Sequence, residues 1–113
     1  MRFHHVALNV KNIIDSTNFY CEVFDFVKIR ELYKGSVLVG VHLQQSNFIL
    51  ELLSGDVFEG SIHLAMFVDS TSEFYNLYKQ MLNFEREPFK VGDETIVFLY
   101  DPNGYRIEIN DRL

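Results

Sequence analysis

The sequence predicts an α+β chain built of two similar halves, each running strand, helix, then three strands. Three observations carry that expectation. The phrase His5-Val6-Ala7-Leu8-Asn9-Val10 returns as His63-Leu64-Ala65-Met66-Phe67-Val68, with the shared pattern His-x-Ala-apolar-x-Val. Each copy precedes a helical segment bearing a Phe-Tyr pair, Phe19-Tyr20 and Phe74-Tyr75. Each half then closes on a strand-like run with a central glutamate, "FILELL" at 48–53 and "YRIEIN" at 105–110. His5 to Glu51 is 46 positions and His63 to Glu108 is 45. A four-part match in one order at nearly equal spacing marks an internal duplication.

The elements follow in order. Residues 3–10 alternate as a strand does. Asn12, with Asp15 three residues on, resembles a capping box with Asp in place of Glu, and opens a helix whose Phe19, Tyr20, Val23 and Phe24 form a one-sided cluster. Strands are expected at 27–32, 36–43 and 47–53. In the second half a strand at 61–68 leads to Ser70 and Glu73, a capping box of the standard form. Behind it Phe74, Leu77, Tyr78 and Met81 keep the i, i+3, i+4, i+7 spacing of an apolar helical stripe. Strands at 84–88, 94–100 and 105–110 complete the half. Asp101-Pro102-Asn103-Gly104 between the last two is a turn, since Pro presets φ and Gly relieves the exit. The helix aromatics are assigned to the core. No Pro-, Gly- or Ser-rich linker separates the halves. The junction falls within 54–61, giving one domain, 1–113, of two modules at about 1–55 and 60–113.

Composition narrows the function classes. The chain has 113 residues, 48% of them hydrophobic, with eleven Phe and six Tyr, which is ample for a core. A net charge of −6 without a basic cluster argues against nucleic-acid and anionic-membrane partners. The one cysteine, Cys21, forms no intramolecular disulfide and reads as a packed thiol. Neither a signal-peptide stretch nor a membrane span is apparent, so the expected location is cytoplasmic.

Strand alternation sorts the chemistry-bearing side chains. His5, Ala7 and Asn9 share one face, and His63, Ala65 and Phe67 share the equivalent one; the opposite faces are apolar apart from His4. Glu51 lies opposite Leu50 and Leu52, and Glu108 opposite Ile107 and Ile109. Each half therefore presents one imidazole and one carboxylate away from its helix. Four such side chains converging on a concave surface would suit a divalent metal such as Zn, Ni, Co, Fe or Mn. A lone His or Glu in a strand usually faces solvent, and it is the duplicated His…Glu pattern that raises these four above that reading. His4, on the other face, and His42, without a counterpart, are read as structural.

The phrases "HHVALNVKNIIDSTNFY", "ILEL" at 49–52, "IHLAMFV" at 62–68 and above all "DPNGYRIEI" at 101–109 resemble the vicinal oxygen chelate superfamily. That superfamily includes glyoxalase I, extradiol dioxygenases, methylmalonyl-CoA epimerase and fosfomycin- and bleomycin-resistance proteins. The resemblance covers essentially the whole chain. It implies paired βαβββ modules forming curved mixed sheets around a concave metal site. His5, Glu51, His63 and Glu108 stand where the four metal ligands of glyoxalase I (lactoylglutathione lyase) are expected. The resemblance thus implies one divalent metal per site, Ni, Zn or Co ahead of Fe or Mn. It also implies a cytoplasmic lyase or isomerase that carries a hemithioacetal of methylglyoxal, or a related small oxygenated substrate, through an enediolate. Glu108 is the implied catalytic base and Glu51 the second candidate. Asn9, Ile49, Leu53, Phe67 and Arg106 share the predicted pocket face. Asn9 stands where glyoxalase I often carries an arginine for a glutathione carboxylate, which leaves the thiol unassigned. A homodimer with the metal site shared between chains is implied as well. A non-catalytic drug- or metabolite-binding protein, and an epimerase or extradiol dioxygenase of the same superfamily, are the alternatives.

Overall fold

The computed structural model describes all 113 residues. The chain folds as α+β with two mixed sheets, one in each of two compact units, Met1–Gly60 and Ser61–Leu113. No helix is long and apolar enough to cross a membrane.

In the first unit, β1 (Val6–Val10), α1 (Ile13–Phe24), β2 (Val27–Lys34), β3 (Val37–Gln45) and β4 (Phe48–Ser54) give a sheet of order β1-β4-β3-β2. β1 runs parallel to β4, and the other pairs are antiparallel. α1 starts where the capping residues put it: the Asn12 side chain accepts the Asp15 N–H at 3.0 Å. Its buried residues Ile13, Ser16, Tyr20 and Phe24 make one stripe. The sheet answers with Leu8, Val10, Val41, Leu43, Leu50 and Leu52, all at or below 5% exposed. α1 stops at Asp25, whose φ of 59° takes the left-handed conformation that ends helices.

The second unit carries β5 (His63–Phe67), α2 (Thr71–Tyr78), β6 (Asn83–Phe84), β7 (Phe89–Val91), β8 (Glu94–Tyr100) and β9 (Arg106–Asn110). The order is β5-β9-β8-β6, with β7 also on β8, and β5 is parallel to β9. The apolar face is Val97, Leu99, Ile107 and Ile109, each 0% exposed. Ser70 caps α2 by accepting the Glu73 N–H at 3.2 Å, and Thr71 Oγ1 donates to the Thr95 carbonyl at 2.7 Å, tying the helix start to β8.

Two expectations are corrected here. The single strand at 84–88 is instead two short strands, β6 and β7, both on β8. Pro88 lies between them, and a residue without an N–H cannot continue the ladder. The stripe Phe74, Leu77, Tyr78, Met81 does not form the packed face of α2. The helix ends at Tyr78, whose carbonyl accepts from both Met81 and Leu82, and Leu77 and Met81 are 65% and 67% exposed. The ring cluster is Phe74, Tyr75, Tyr78 and Phe84, so Tyr75 takes the place assigned to Leu77.

Candidate metal centre: two half-sites

Register decides which side chains meet. In the first unit Ala7 is paired with Glu51, Asn9 with Leu53, and His42 with Glu51 from the other side. His5 lies one residue before β1. It shares the parity of Ala7 and Asn9, so its ring falls on the face of Glu51. His5 Nε2 is 3.4 Å from Glu51 Oε1. His42 Nε2 is 2.6 Å from Glu51 Oε2, with His42 only 5% exposed. His5, His42 and Glu51 can each offer one ligand atom within 4.8 Å of the others. Outside them, His4 and His5 share a hydrogen bond between Nδ1 atoms at 2.8 Å.

In the second unit Ala65 is paired with Glu108, His63 with Arg106, and Phe98 with Glu108 across the antiparallel pair. His63 Nε2 is 3.7 Å from Glu108 Oε1, while Asn110 Nδ2 donates to Glu108 Oε2 at 2.8 Å. The two units thus repeat one arrangement. In each, the glutamate turns Oε1 toward the imidazole of the leading strand and gives Oε2 to a hydrogen-bond donor.

The donor chemistry fits a divalent ion. Two ligand atoms bound side by side at about 2.0–2.2 Å stand roughly 3 Å or more apart, and the imidazole–carboxylate spacings of both half-sites are of that order. The partners of both carboxylates are imidazoles and an amide, so neither is neutralised by Lys or Arg.

The remaining sequence-predicted residues are placed as follows. Asn9 is exposed, and Ile49 and Leu53 are half-buried on the Glu51 face. Gly40 is paired with Leu53, where an added Cβ would meet the Leu53 side chain at 2.8 Å and the Leu52 carbonyl at 3.1 Å; the absence of a side chain is what lets Leu53 pack there. Phe67 is 44% exposed on the His63 face. Arg106 lies on the Glu108 face, but its guanidinium makes two hydrogen bonds to Glu85, at 2.9 and 3.2 Å, and stacks over Phe98 at 3.6 Å. Burial pushes the Cys21 thiol above its ordinary pKa, with Lys28 opposing, which agrees with a packed thiol. His42 was not expected at the site. The signal for it is the β3–β4 hairpin: Ser46 (φ 51°) and Asn47 form the turn, and counting outward from them sets His42 opposite Glu51.

The glyoxalase/bleomycin resistance protein/dioxygenase superfamily model matches residues 2–109. The chain is 32% identical to the lactoylglutathione lyase GLX1 of Arabidopsis thaliana over 98% of its own length and 44% of that protein. It is 30% identical to the lactoylglutathione lyase of Salmonella typhimurium over 96% of its own length and 91% of that one. The chain therefore spans less than half of the plant relatives and nearly all of the bacterial ones. In fold it is similar to the fosfomycin resistance protein FosX of Listeria monocytogenes, with TM-score 0.82 at 17% identity over 100% of this chain and 94% of that one. A crystal structure of that protein is complexed with Mn(II) and sulfate ion. From the match along nearly its whole length, the chain belongs to the glyoxalase/bleomycin resistance/dioxygenase (vicinal oxygen chelate) superfamily.

Proposed function

We propose that the protein is a metal-dependent lyase or isomerase of glyoxalase I type, acting on a hemithioacetal of methylglyoxal or a related small oxygenated substrate. The observation that carries this reading is the repeated half-site: one imidazole Nε2 and one carboxylate Oε1 on the open face of each sheet, at 3.4 and 3.7 Å. His5 and Glu51 from one module, and His63 and Glu108 from the other, would hold one divalent ion, Ni, Zn or Co ahead of Fe or Mn. When bound, the ion supplies Lewis-acid stabilisation of developing oxyanion charge.

The chain's own residues supply the rest. The Nδ1 contact of His5 with His4 leaves Nε2 as the nitrogen that faces the carboxylate. Glu108 is the better proton carrier of the two glutamates. Its anchor is an amide two residues along its own strand, and its side chain is 19% exposed. Glu51 is 13% exposed and held by a buried imidazole from a neighbouring strand. For a hemithioacetal, the Glu108 carboxylate takes the proton from the carbon bearing sulfur and returns it to the adjoining carbonyl carbon, while the hydroxyl proton passes from the first carbon's oxygen to the second's. The product is a 2-hydroxy thioester, with no net change in protons or electrons. Asn9, Ile49 and Leu53 on one face and Phe67 on the other would shape the substrate pocket. Arg106, already committed to Glu85, is a weaker contributor.

The test is turnover of methylglyoxal with a series of thiols by metal-stripped protein reloaded with Ni(II) or Zn(II). Loss of turnover in both Glu108→Gln and His63→Ala, with metal-dependent activity in the wild type, is the expected result. No activity with any thiol, or activity indifferent to metal, overturns the reading. Mixing a His5→Ala/Glu51→Gln double variant with a His63→Ala/Glu108→Gln double variant decides the assembly. Restored metal binding in the mixture means that a homodimer shares its sites between chains.

A second reading rests on His5, His42 and Glu51 as a two-histidine, one-carboxylate group within 4.8 Å. Such a set suits Fe(II) oxygen chemistry. It predicts oxygen uptake with Fe(II) that survives replacement of Glu108.

A further inference from the structure

Glu51 receives two imidazoles, and they differ in kind. Side-by-side ligand atoms around one ion are separated by roughly 3 Å or more, as His5 Nε2 and Glu51 Oε1 are at 3.4 Å. His42 Nε2 and Glu51 Oε2 are 2.6 Å apart, too close for that and at the short edge of a charge-assisted hydrogen bond. An ionised carboxylate only accepts, and against it the proton in this contact is carried by His42 Nε2. So protonated, that nitrogen has no lone pair to offer an ion, and this arrangement and the three-ligand Fe(II) reading exclude one another.

The setting holds the ring in place. His42 sits on β3, flanked by β2 and β4, and its ring lies 5.3 Å from that of His5. The second unit performs the same task differently. Phe98 occupies the place opposite Glu108, and Asn110 supplies the donor to Glu108 Oε2 instead. What the two half-sites share is one hydrogen-bonded carboxylate oxygen and one left facing the histidine. We propose that His42 is a positioning residue: its Nε2–H pins Oε2 of Glu51, so that Oε1 stays turned toward His5 and the ion the pair would hold. Hydrogen bonding to a ligating carboxylate is the general means by which a protein orients it. The inference rests on the metal reading above.

Metal-stripped wild type, His42→Gln and His42→Phe are titrated calorimetrically with Ni(II), and their Co(II) absorption spectra are compared. In parallel, long-range nitrogen–proton NMR of the metal-free wild type reports which His42 nitrogen is protonated. The expected result is a roughly 10- to 100-fold weaker metal affinity in His42→Phe. His42→Gln, whose amide can still donate to Glu51, recovers most of the loss with an unchanged Co(II) spectrum. NMR shows the proton on Nε2, a result that needs no variant to fold. Equal affinity in all three proteins overturns the proposal alone. So does a His42→Gln variant as weak as His42→Phe with an altered Co(II) spectrum, which makes His42 a ligand, or a proton found only on Nδ1. A wild type that binds no metal overturns the metal reading and this proposal together.

Discussion

Asp101 opens the turn that delivers Glu108 to its strand, and its replacement by alanine tests how that turn is held. Its Oδ1 accepts the Asn103 N–H at 2.8 Å and the Tyr105 N–H at 2.9 Å. The residue is 6% exposed and Tyr105 is 4% exposed. Asp101 N donates to the Tyr105 carbonyl, and Gly104 N to the Asp101 carbonyl, with Gly104 at φ 89°. In Asp101→Ala the Tyr105 N–H has no route to water, and an orphaned buried donor costs about 1–3 kcal/mol. The Asn103 N–H is partly exposed and costs less, on the order of 1 kcal/mol. The sum is a destabilisation of about 2–4 kcal/mol. With a urea slope of about 2 kcal/mol/M, the unfolding midpoint falls by roughly 1–2 M. Asp101→Asn keeps an acceptor oxygen at the Oδ1 place but gives up the charge and the Oδ2 acceptor that Asn103 Nδ2 meets at 3.5 Å, so its midpoint lies between the two. Urea denaturation followed by circular dichroism gives the three midpoints. An alanine variant at the wild-type midpoint, or an asparagine variant no better than alanine, refutes the account of the turn as held by this carboxylate.

The other predictions concern packing and charge. Leu50→Ala empties a fully buried position in the middle of the first sheet; it costs about 3–5 kcal/mol. Leu77→Ala, at a 65% exposed position on α2, changes the unfolding free energy by no more than about 0.5 kcal/mol. Comparable losses at the two sites would contradict the packing of α2 described above. Glu31 titrates below the ordinary carboxylate range, because Lys28 hydrogen-bonds it at 2.9 Å and adds its charge. The associated stabilisation is present above the unfolded carboxylate pKa and disappears as pH falls through the depressed folded value. Lys28→Met returns the Glu31 carboxyl toward its ordinary value, as read by carbon-detected NMR titration. Both side chains are exposed, so the unfolding midpoint near neutral pH moves little.

Local sequence carried some of this structure and not the rest, for reasons that differ element by element. Asn12, Asp15, Ser70 and Glu73 are legible as helix starts because a cap is a contact between residues three apart. The pairs His5 with Glu51 and His63 with Glu108 are legible because period-2 alternation fixes a face without knowledge of the neighbouring strand. His42 was not, because its role depends on register. Strands bounded at 43 and 47 leave a three-residue turn that sets His42 against residue 48. The two-residue turn at Ser46 and Asn47 shifts it to Glu51. The end of α2 was equally hidden. Apolar spacing continues through Met81, but the backbone turns at Tyr78, and Thr71, anchored to a strand 24 residues away, sets which side of the helix faces the sheet. Arg106 has the correct face by alternation. Its commitment to Glu85, 21 residues earlier, lies beyond any local pattern.

Laid on one another by their registers, the two modules separate what folding requires from what chemistry requires. The buried faces correspond pair by pair: Val41 with Val97, Leu43 with Leu99, Leu50 with Ile107, Leu52 with Ile109, all apolar and all within 1% of complete burial. Close packing against a helix demands only apolar side chains of suitable volume, so these pairs are similar without being the same. The open faces obey no such demand, and they diverge: Asn9 against Phe67, His42 against Phe98, Ile49 against Arg106, Leu53 against Asn110. Through that divergence His, Ala and Glu stay identical. The alanine has its own physical place there. Ala7 is the register partner of Glu51, and Ala65 of Glu108, on the adjacent parallel strand. Both alanines are exposed on the open face, beside the carboxylate and two residues on from the histidine, where a methyl takes little room. The retained triplet is therefore a donor pair with a small residue beside it, and the two open faces differ at the positions around it.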